Sequence, residues 1–180
     1  MMVISATGEN FYSYGPEGKQ HFKMSTDKIL VKFDKEVTFA EKQNIILTVK
    51  GLQRIDKANV LPAPDVTIVD VAGLDEEQIQ KRLEELRSNP KVEYANPFLK
   101  YKDGTEQGIQ DRILLSLRTR DDYKKMASVA KEYHLQITER DDYNSLVFTL
   151  QTTKNSPGNA LEVANMLYEG KKFKWVEPDF

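Results

Sequence analysis

Residues 75–97 decide the fold, and they read DEEQIQKRLEELRSNPKVEYANP. Asp75 stands three positions before Gln78, which is the spacing of a helix-capping box. The apolar residues that follow lie on one face of a helix: Ile79, Leu83 and Leu86. The pattern therefore predicts a helix that ends at Ser88, followed by a strand over residues 92–101.

The same pattern recurs in the second half of the chain. Residues 94–97 read YANP, and residues 175–178 read WVEP. At the same offset, Leu83 of the predicted helix aligns with Ala164 of a later one. A repeat that keeps both order and phase indicates duplication of one structural unit more strongly than any single periodicity does.

The first half reads as strand, helix, two strands, helix and strand. Alternating residues predict a strand over Lys28–Phe33. Thr38 and Glu41 form a further capping box and begin a helix. Two strands are predicted next, around residues 53–60 and 66–71, joined by a turn that contains two prolines.

The second half repeats this order. Its first three strands are predicted over residues 112–118, 135–139 and 146–151. A helix follows Thr119, between the first two of these strands. Ser156 is placed to cap the final helix, with Pro157 in its first position, and the last strand is predicted over residues 173–180.

The fold class predicted from this order is α+β, with two tandem ferredoxin-like (βαββαβ) units after an N-terminal β-hairpin. The predicted divisions are a hairpin extension over residues 1–27, a first unit over 28–102 and a second unit over 111–180. The intervening segment is polar and contains two glycines. The hairpin carries Phe11, Tyr12 and Tyr14, whose rings need a surface to cover.

Composition argues against several classes of protein. The chain has 180 residues, of which 39% are hydrophobic and 30% are charged, with a net charge of −2. This is typical of a globular protein, and the charge balance argues against a general nucleic-acid-binding surface. No apolar run is long enough to span a bilayer. The absence of cysteine excludes disulfides and thiolate metal sites.

The sequence contains no recognisable catalytic or metal-binding motif. Neither histidine, His21 or His134, lies in a motif with a serine and a carboxylate. His134 is predicted at a helix C-terminus, where the helix dipole favours a cation. Residues 103–106, DGTE, lack the alternating acids and the distal glutamate of a calcium loop. We therefore predict no catalytic residue, no metal ligand and no cofactor in this chain.

One sheet face is predicted to need a covering partner. In the second unit, the strand face opposite Ile113 carries Leu114 and Ser116, with Val147 and Val176 on neighbouring strands. Helices cover only one face of such a sheet, so a partly apolar second face packs against either the sister unit or a second protein. The sequence leaves both alternatives open.

Two segments of the second unit resemble a known family. Residues 156–169 read SPGNALEVANMLYE, and residues 173–180 read FKWVEPDF. This helix and final strand are similar to the end of the N-terminal propeptide of subtilisin-like serine peptidases (subtilases). The chain most resembles the long pro-regions of envelope or secreted subtilases of Bacteroides-type bacteria, which also open with an aromatic hairpin. The resemblance is good over Arg112–Phe180 and looser over residues 11–102.

The resemblance implies two propeptide-like units that act as intramolecular chaperone and inhibitor of a subtilisin-like catalytic domain. That domain would follow Phe180, so the full-length parent would be a serine endopeptidase, whereas this chain carries no catalytic triad. Propeptides of the family lay the open face of their sheet on the protease and place the segment after the last strand in the substrate cleft. The contacts that this implies are Leu114, Val176, Glu177, Pro178, Asp179 and Phe180.

The resemblance also implies secretion, or a location in the cell envelope or periplasm, with a signal peptide ahead of the sequence given. The implied partner is the cognate catalytic domain, in cis or in trans, with no nucleic acid and no membrane span. The alternative is a free-standing tandem ferredoxin-like binding module or small-ligand sensor, because fold alone does not separate the two functions. A ligand pocket between the units would favour the sensor.

Overall fold

A computed structural model describes residues 11–15, 18–62 and 65–180. Over these residues the chain is α+β, with four α-helices and two antiparallel sheets. The first eight elements are β1 (Phe11–Gly15), β2 (Gly18–Phe33), α1 (Phe39–Thr48), β3 (Val60–Leu61), β4 (Val66–Asp70), α2 (Glu76–Ser88), β5 (Val92–Lys100) and β6 (Glu106–Gly108). The others are β7 (Arg112–Ser116), α3 (Tyr123–Glu132), β8 (Gln136–Arg140), β9 (Val147–Gln151), α4 (Ala160–Glu169) and β10 (Trp175–Asp179). Among the described residues, no helix is both long enough and apolar enough to cross a membrane.

The chain forms two compact units, and the N-terminal hairpin is shared between them. Of the described residues, the first unit comprises Phe11 and His21–Gly108, and the second comprises Tyr12–Gln20 and Ile109–Phe180. The predicted hairpin strand and the predicted strand at Lys28–Phe33 are one continuous strand, β2. Its pairing with β5 shifts register after Met24, and such an irregularity bends a long strand.

In the first unit, α1 and α2 pack on one face of a sheet whose strands lie in the order β3-β4-β2-β5-β6. The predicted face of α2 is confirmed, since its three apolar residues are buried: Ile79, Leu83 and Leu86. Both predicted capping boxes are confirmed as well. The backbone N–H of Glu41 donates to Thr38 Oγ1 at 3.4 Å, and that of Gln78 donates to Asp75 Oδ1 at 2.8 Å.

The predicted strand over residues 53–60 is wrong, because only its last residue, Val60, belongs to a strand, β3. Asp56 Oδ1 accepts from the Ala58 N–H at 2.7 Å, and Asn59 Oδ1 accepts from the Asp56 N–H at 2.7 Å. These bonds stabilise a 3-10 turn over Lys57–Asn59. Asp and Asn side chains compete in this way with the backbone pairing that a strand needs.

The polar segment before the second unit contains a strand, β6, which pairs with the end of β5. Glu106 at its start accepts from Ser25 Oγ at 2.6 Å, and its carboxylate lies 2.7 Å from Lys28 Nζ. The bond from Lys28 and, to a smaller extent, the bond from Ser25 hold the pKa of Glu106 below its ordinary value. The segment is therefore part of the first unit and tied to β2 by side-chain contacts.

In the second unit, the strand order is β10-β7-β9-β8, and α3 and α4 cover one face. Strands β8 and β9 start one residue after their predicted positions.

The prediction that Ser156 caps the final helix is wrong. Asn159 is the N-cap of α4, and its Oδ1 accepts from the Glu162 N–H at 3.1 Å. Ser156 Oγ instead donates to the carbonyl oxygen of His134 at 3.0 Å.

Candidate partner-binding surface

The second sheet has one face turned away from its helices, which we term the outer face. Ile113 and Leu115 of β7 lie in the helix-covered core, so strand alternation places Arg112, Leu114 and Ser116 on the outer face. The registers of β7 with β9 and β10 add the other members: Val147, Thr149, Gln151, Trp175, Glu177 and Asp179.

Three apolar side chains lie on the outer face, one at its centre and two at one end. Leu114, Val147 and Trp175 are half-buried. Ser116 and Thr149, which lie among them, are only 2% and 6% exposed. A half-exposed aromatic ring beside aliphatic side chains is typical of the centre of a protein interface, where a partner completes the exclusion of water.

The other end of the outer face is charged. Arg112 Nε lies 3.3 Å from Asp179 Oδ2, and Arg112 Nη2 donates to Glu139 Oε2 at 3.2 Å. All three side chains are more than one-third exposed, so these ion pairs contribute little to stability. They border the apolar region with charges of both signs, a pattern that is also typical of the polar rim of interfaces.

Leu114 and Val176 lie on opposite faces of the sheet. Leu114 is central on the outer face, between Thr149 and Glu177. Val176 is 4% exposed, lies opposite Leu115 and packs in the helix-covered core. The prediction that both side chains share one face is wrong, because the register of β10 brings Glu177 opposite Leu114, and neighbouring residues of a strand alternate.

The last strand, predicted over residues 173–180, is confirmed over Trp175–Asp179. Glu177, Pro178 and Asp179 belong to β10 and pair with β7, so only Phe180 follows the strand. Strand β10 is at an edge of the described sheet. An edge strand tolerates Pro178, which has no N–H to donate. Of the residues that the resemblance implies for the substrate cleft, Glu177, Pro178 and Asp179 are thus paired within the sheet.

The hairpin residues of the second unit dock on α4. Tyr12 and Tyr14 hydroxyls each donate to Glu169 Oε1 at 2.8 Å. The Tyr14 ring stacks on Tyr168 with a centroid distance of 4.2 Å, and Asn165 Nδ2 donates to the Tyr12 carbonyl at 2.6 Å. The two hydroxyl bonds hold the pKa of Glu169 below its ordinary value, and the bond to Glu169 raises the pKa of Tyr12 to about 12. The aromatic residues of the hairpin predicted that their rings cover a surface, but the sequence did not show that this surface is α4.

Neither histidine is a member of the outer face. His21 is exposed on β2. His134 follows α3 in the left-handed conformation, with a φ of 52°, and the next N–H, of Leu135, donates to Ala130 O at 2.7 Å. This arrangement ends the helix. Within the described ranges, no three acidic or histidine side chains are grouped so as to hold a metal ion.

Comparison with models of known protein families, with curated proteins and with solved structures finds no match to this chain.

Proposed function

We propose that this chain is the non-catalytic pro-region of a subtilisin-like serine endopeptidase, acting as intramolecular chaperone and inhibitor of the catalytic domain. The observation that carries the proposal is the outer face of the second sheet. Its central residue, Leu114, is half-buried on the face that α3 and α4 do not cover. The second face of an antiparallel sheet is commonly solvated and polar, so apolar side chains grouped there favour a partner-binding surface.

The strand orders support the tandem part of the proposal. In the first unit the four main strands lie in the order β3-β4-β2-β5, and in the second they lie in the order β8-β9-β7-β10. Counted along the chain within each unit, both orders are second, third, first, fourth. Two helices connect the strands at equivalent points in both units. We propose that both units are ferredoxin-like and propeptide-like, in keeping with the resemblance of the sequence to subtilase pro-regions.

The proposed docking uses the outer face and the end of β10. The apolar contacts are Leu114, Val147 and Trp175, and Glu177 lies at their exposed border. Phe180 leads toward the substrate cleft, where an extended segment binds by main-chain pairing and side-chain pockets select the enzyme. Val176 takes no part, since it is buried in the core of its own unit. The proposed location is outside the cytoplasm, secreted or in the cell envelope.

Inhibition kinetics test this function. The chain is titrated into the subtilisin-like catalytic domain with which it is proposed to be encoded, and hydrolysis of a peptide substrate is followed. The wild-type chain should inhibit competitively. Leu114→Lys should weaken inhibition by about tenfold or more, because complex formation would bury an unpaired charge.

A matched control separates a specific surface from a general effect of charge. Leu47 on α1 is 52% exposed, so Leu47→Lys should inhibit as the wild type does. Absence of inhibition by the wild-type chain would contradict the function. Equal inhibition by the Leu114→Lys and wild-type chains would contradict the docking surface.

A further inference from the structure

A cleft of about 620 Å³ lies in the first unit, at the end of the β2–β5 pair. Its lining includes three lysines, two aromatic rings and a histidine: Lys23, Lys100, Lys102, Phe22, Tyr101 and His21. The volume is within the range of small-molecule sites, about 300–1,000 Å³. No acidic residue lines the cleft in the described part of the chain, although the whole protein has a net charge of −2.

Two of the lysines are paired unfavourably. Lys23 of β2 lies directly opposite Lys100 of β5 in the register of the sheet. Side chains that face each other across an antiparallel pair have Cβ atoms about 5 Å apart, and like charges at such positions destabilise the pair. A cross-strand lysine pair therefore costs folding free energy, and local conflicts of this kind concentrate at functional sites.

The carboxylates of Asp27 and Glu106 offset part of the charge of Lys100. Asp27 Oδ2 lies 4.0 Å from Lys100 Nζ. The side chains of Asp27 and Lys100 are 70% and 47% exposed, so their attraction is weak. Over the described ranges, neither Lys23 nor Lys102 forms an ion pair with a carboxylate. Asp103, beside Lys102, accepts instead from the Thr105 N–H at 2.9 Å.

The two strands that carry the facing lysines are held together by aromatic contacts on their other face. Phe22 is 4% exposed and meets the Tyr101 ring edge to face, with centroids 4.8 Å apart. The Tyr101 hydroxyl donates to Gln107 Oε1 at 2.7 Å. These contacts fix the backbone that carries the lysines before a ligand arrives, which lowers the entropic cost of binding.

We propose that this cleft binds a small anion with two or more negative charges, carried on phosphate or carboxylate groups. The ammonium groups of Lys23, Lys100 and Lys102 surround the anion, and its charge removes the repulsion between the two facing lysines. Lysine recognises such groups as a compact point charge with three donors. This ligand site shares no residue with the outer face of the second unit and goes beyond the proposed pro-region function.

Calorimetric titration of the full chain tests the site, with pyrophosphate and citrate as probes in about 20 mM and about 150 mM salt. At least one probe should bind, more weakly at the higher salt concentration. Lys23→Gln should weaken binding by about tenfold. Lys50→Gln, which changes an exposed lysine just after α1, should leave it unchanged. Pyrophosphate binding alone assigns the site to phosphates, and citrate binding alone assigns it to carboxylates.

Thermal unfolding, with and without an anion, provides a second measurement. Without an anion, Lys23→Gln should melt at a higher temperature than the wild type, because the facing charges are removed. With an anion present, it should gain less in melting temperature than the wild type does. Binding of neither probe at the lower salt concentration would overturn the proposal, as would equal affinity of the Lys23→Gln and wild-type chains.

Discussion

The two sheets share a strand order but differ in the faces that their helices leave uncovered. In the first unit this face carries a closely packed apolar cluster, in which Leu30, Val66 and Phe98 are 4%, 3% and 6% exposed. In the second unit Leu114 and Trp175 are only half-buried. Strand order thus decides where helices pack, whereas residues at alternate strand positions decide whether the second face is structural or available to a partner.

The largest expected effect tests whether the helix-covered cores are equivalent. Leu83 and Leu117 are 0% and 1% exposed. Replacing either with alanine should lower the free energy of unfolding by about 2–5 kcal/mol, since each change leaves a cavity. Urea denaturation measures the loss. The control Leu47→Ala, at a position 52% exposed, should change stability by less than about 0.5 kcal/mol. A loss at only one of the two buried leucines would break the equivalence.

An intermediate effect tests the packing of the face of the first sheet that its helices leave uncovered. A Cβ atom at Gly108 would lie 2.9 Å from Leu30 Cδ2 and 3.1 Å from Phe98 Cζ. Gly108→Ala should therefore lower the free energy of unfolding by about 1–3 kcal/mol, because the cluster is overpacked. At Gly15 the nearest atom, Gln20 Nε2, would be 3.9 Å away, so Gly15→Ala is the control. Equal urea midpoints for the Gly108→Ala and wild-type chains would contradict close packing.

The smallest effect concerns the hairpin docked on α4 of the second unit. Because bonds from Tyr12 and Tyr14 lower the pKa of Glu169 from 4.5, the stabilisation is present above pH 4.5 and is lost as the pH falls through the folded-state value. Glu169→Gln should cost less than about 1 kcal/mol near neutral pH. That deficit should shrink in acid.

Urea denaturation at neutral and acidic pH measures this dependence. The control is Glu84→Gln, which changes an exposed carboxylate on α2 and should alter stability little at either pH. A deficit of Glu169→Gln that is constant from neutral to acidic pH would show that ionisation of Glu169 does not hold the hairpin.

Elements formed by local interactions were predictable from the sequence. The capping boxes at Thr38 and Asp75 depend on bonds between residues three apart, so the pattern itself contains both partners. The same locality explains the near-correct bounds of β8 and β9. The failure at Ser156 is also local, because Asn159 offers an equally good cap three residues later with Glu162 as its reciprocal partner.

The candidate surface depends on pairings that are distant in sequence, and there the prediction was incomplete. Leu114 could be assigned to a face from the alternation of its own strand. Val176 could not, because its face depends on the register that places it opposite Leu115. The docking of Tyr12 on Glu169 joins residues far apart in the chain, and aromatic alternation alone does not name the acceptor.

The central claim is that the outer face of the second sheet docks on a catalytic domain, and binding and stability measured on one preparation of Leu114→Lys test it most directly. Since Leu114 is only half-buried, the free energy of unfolding of the Leu114→Lys chain should be lower than that of the wild type by less than about 1 kcal/mol. Its affinity for the catalytic domain, measured by calorimetry, should fall by about tenfold or more. Wild-type affinity in this variant, with the chain folded, would contradict the claim.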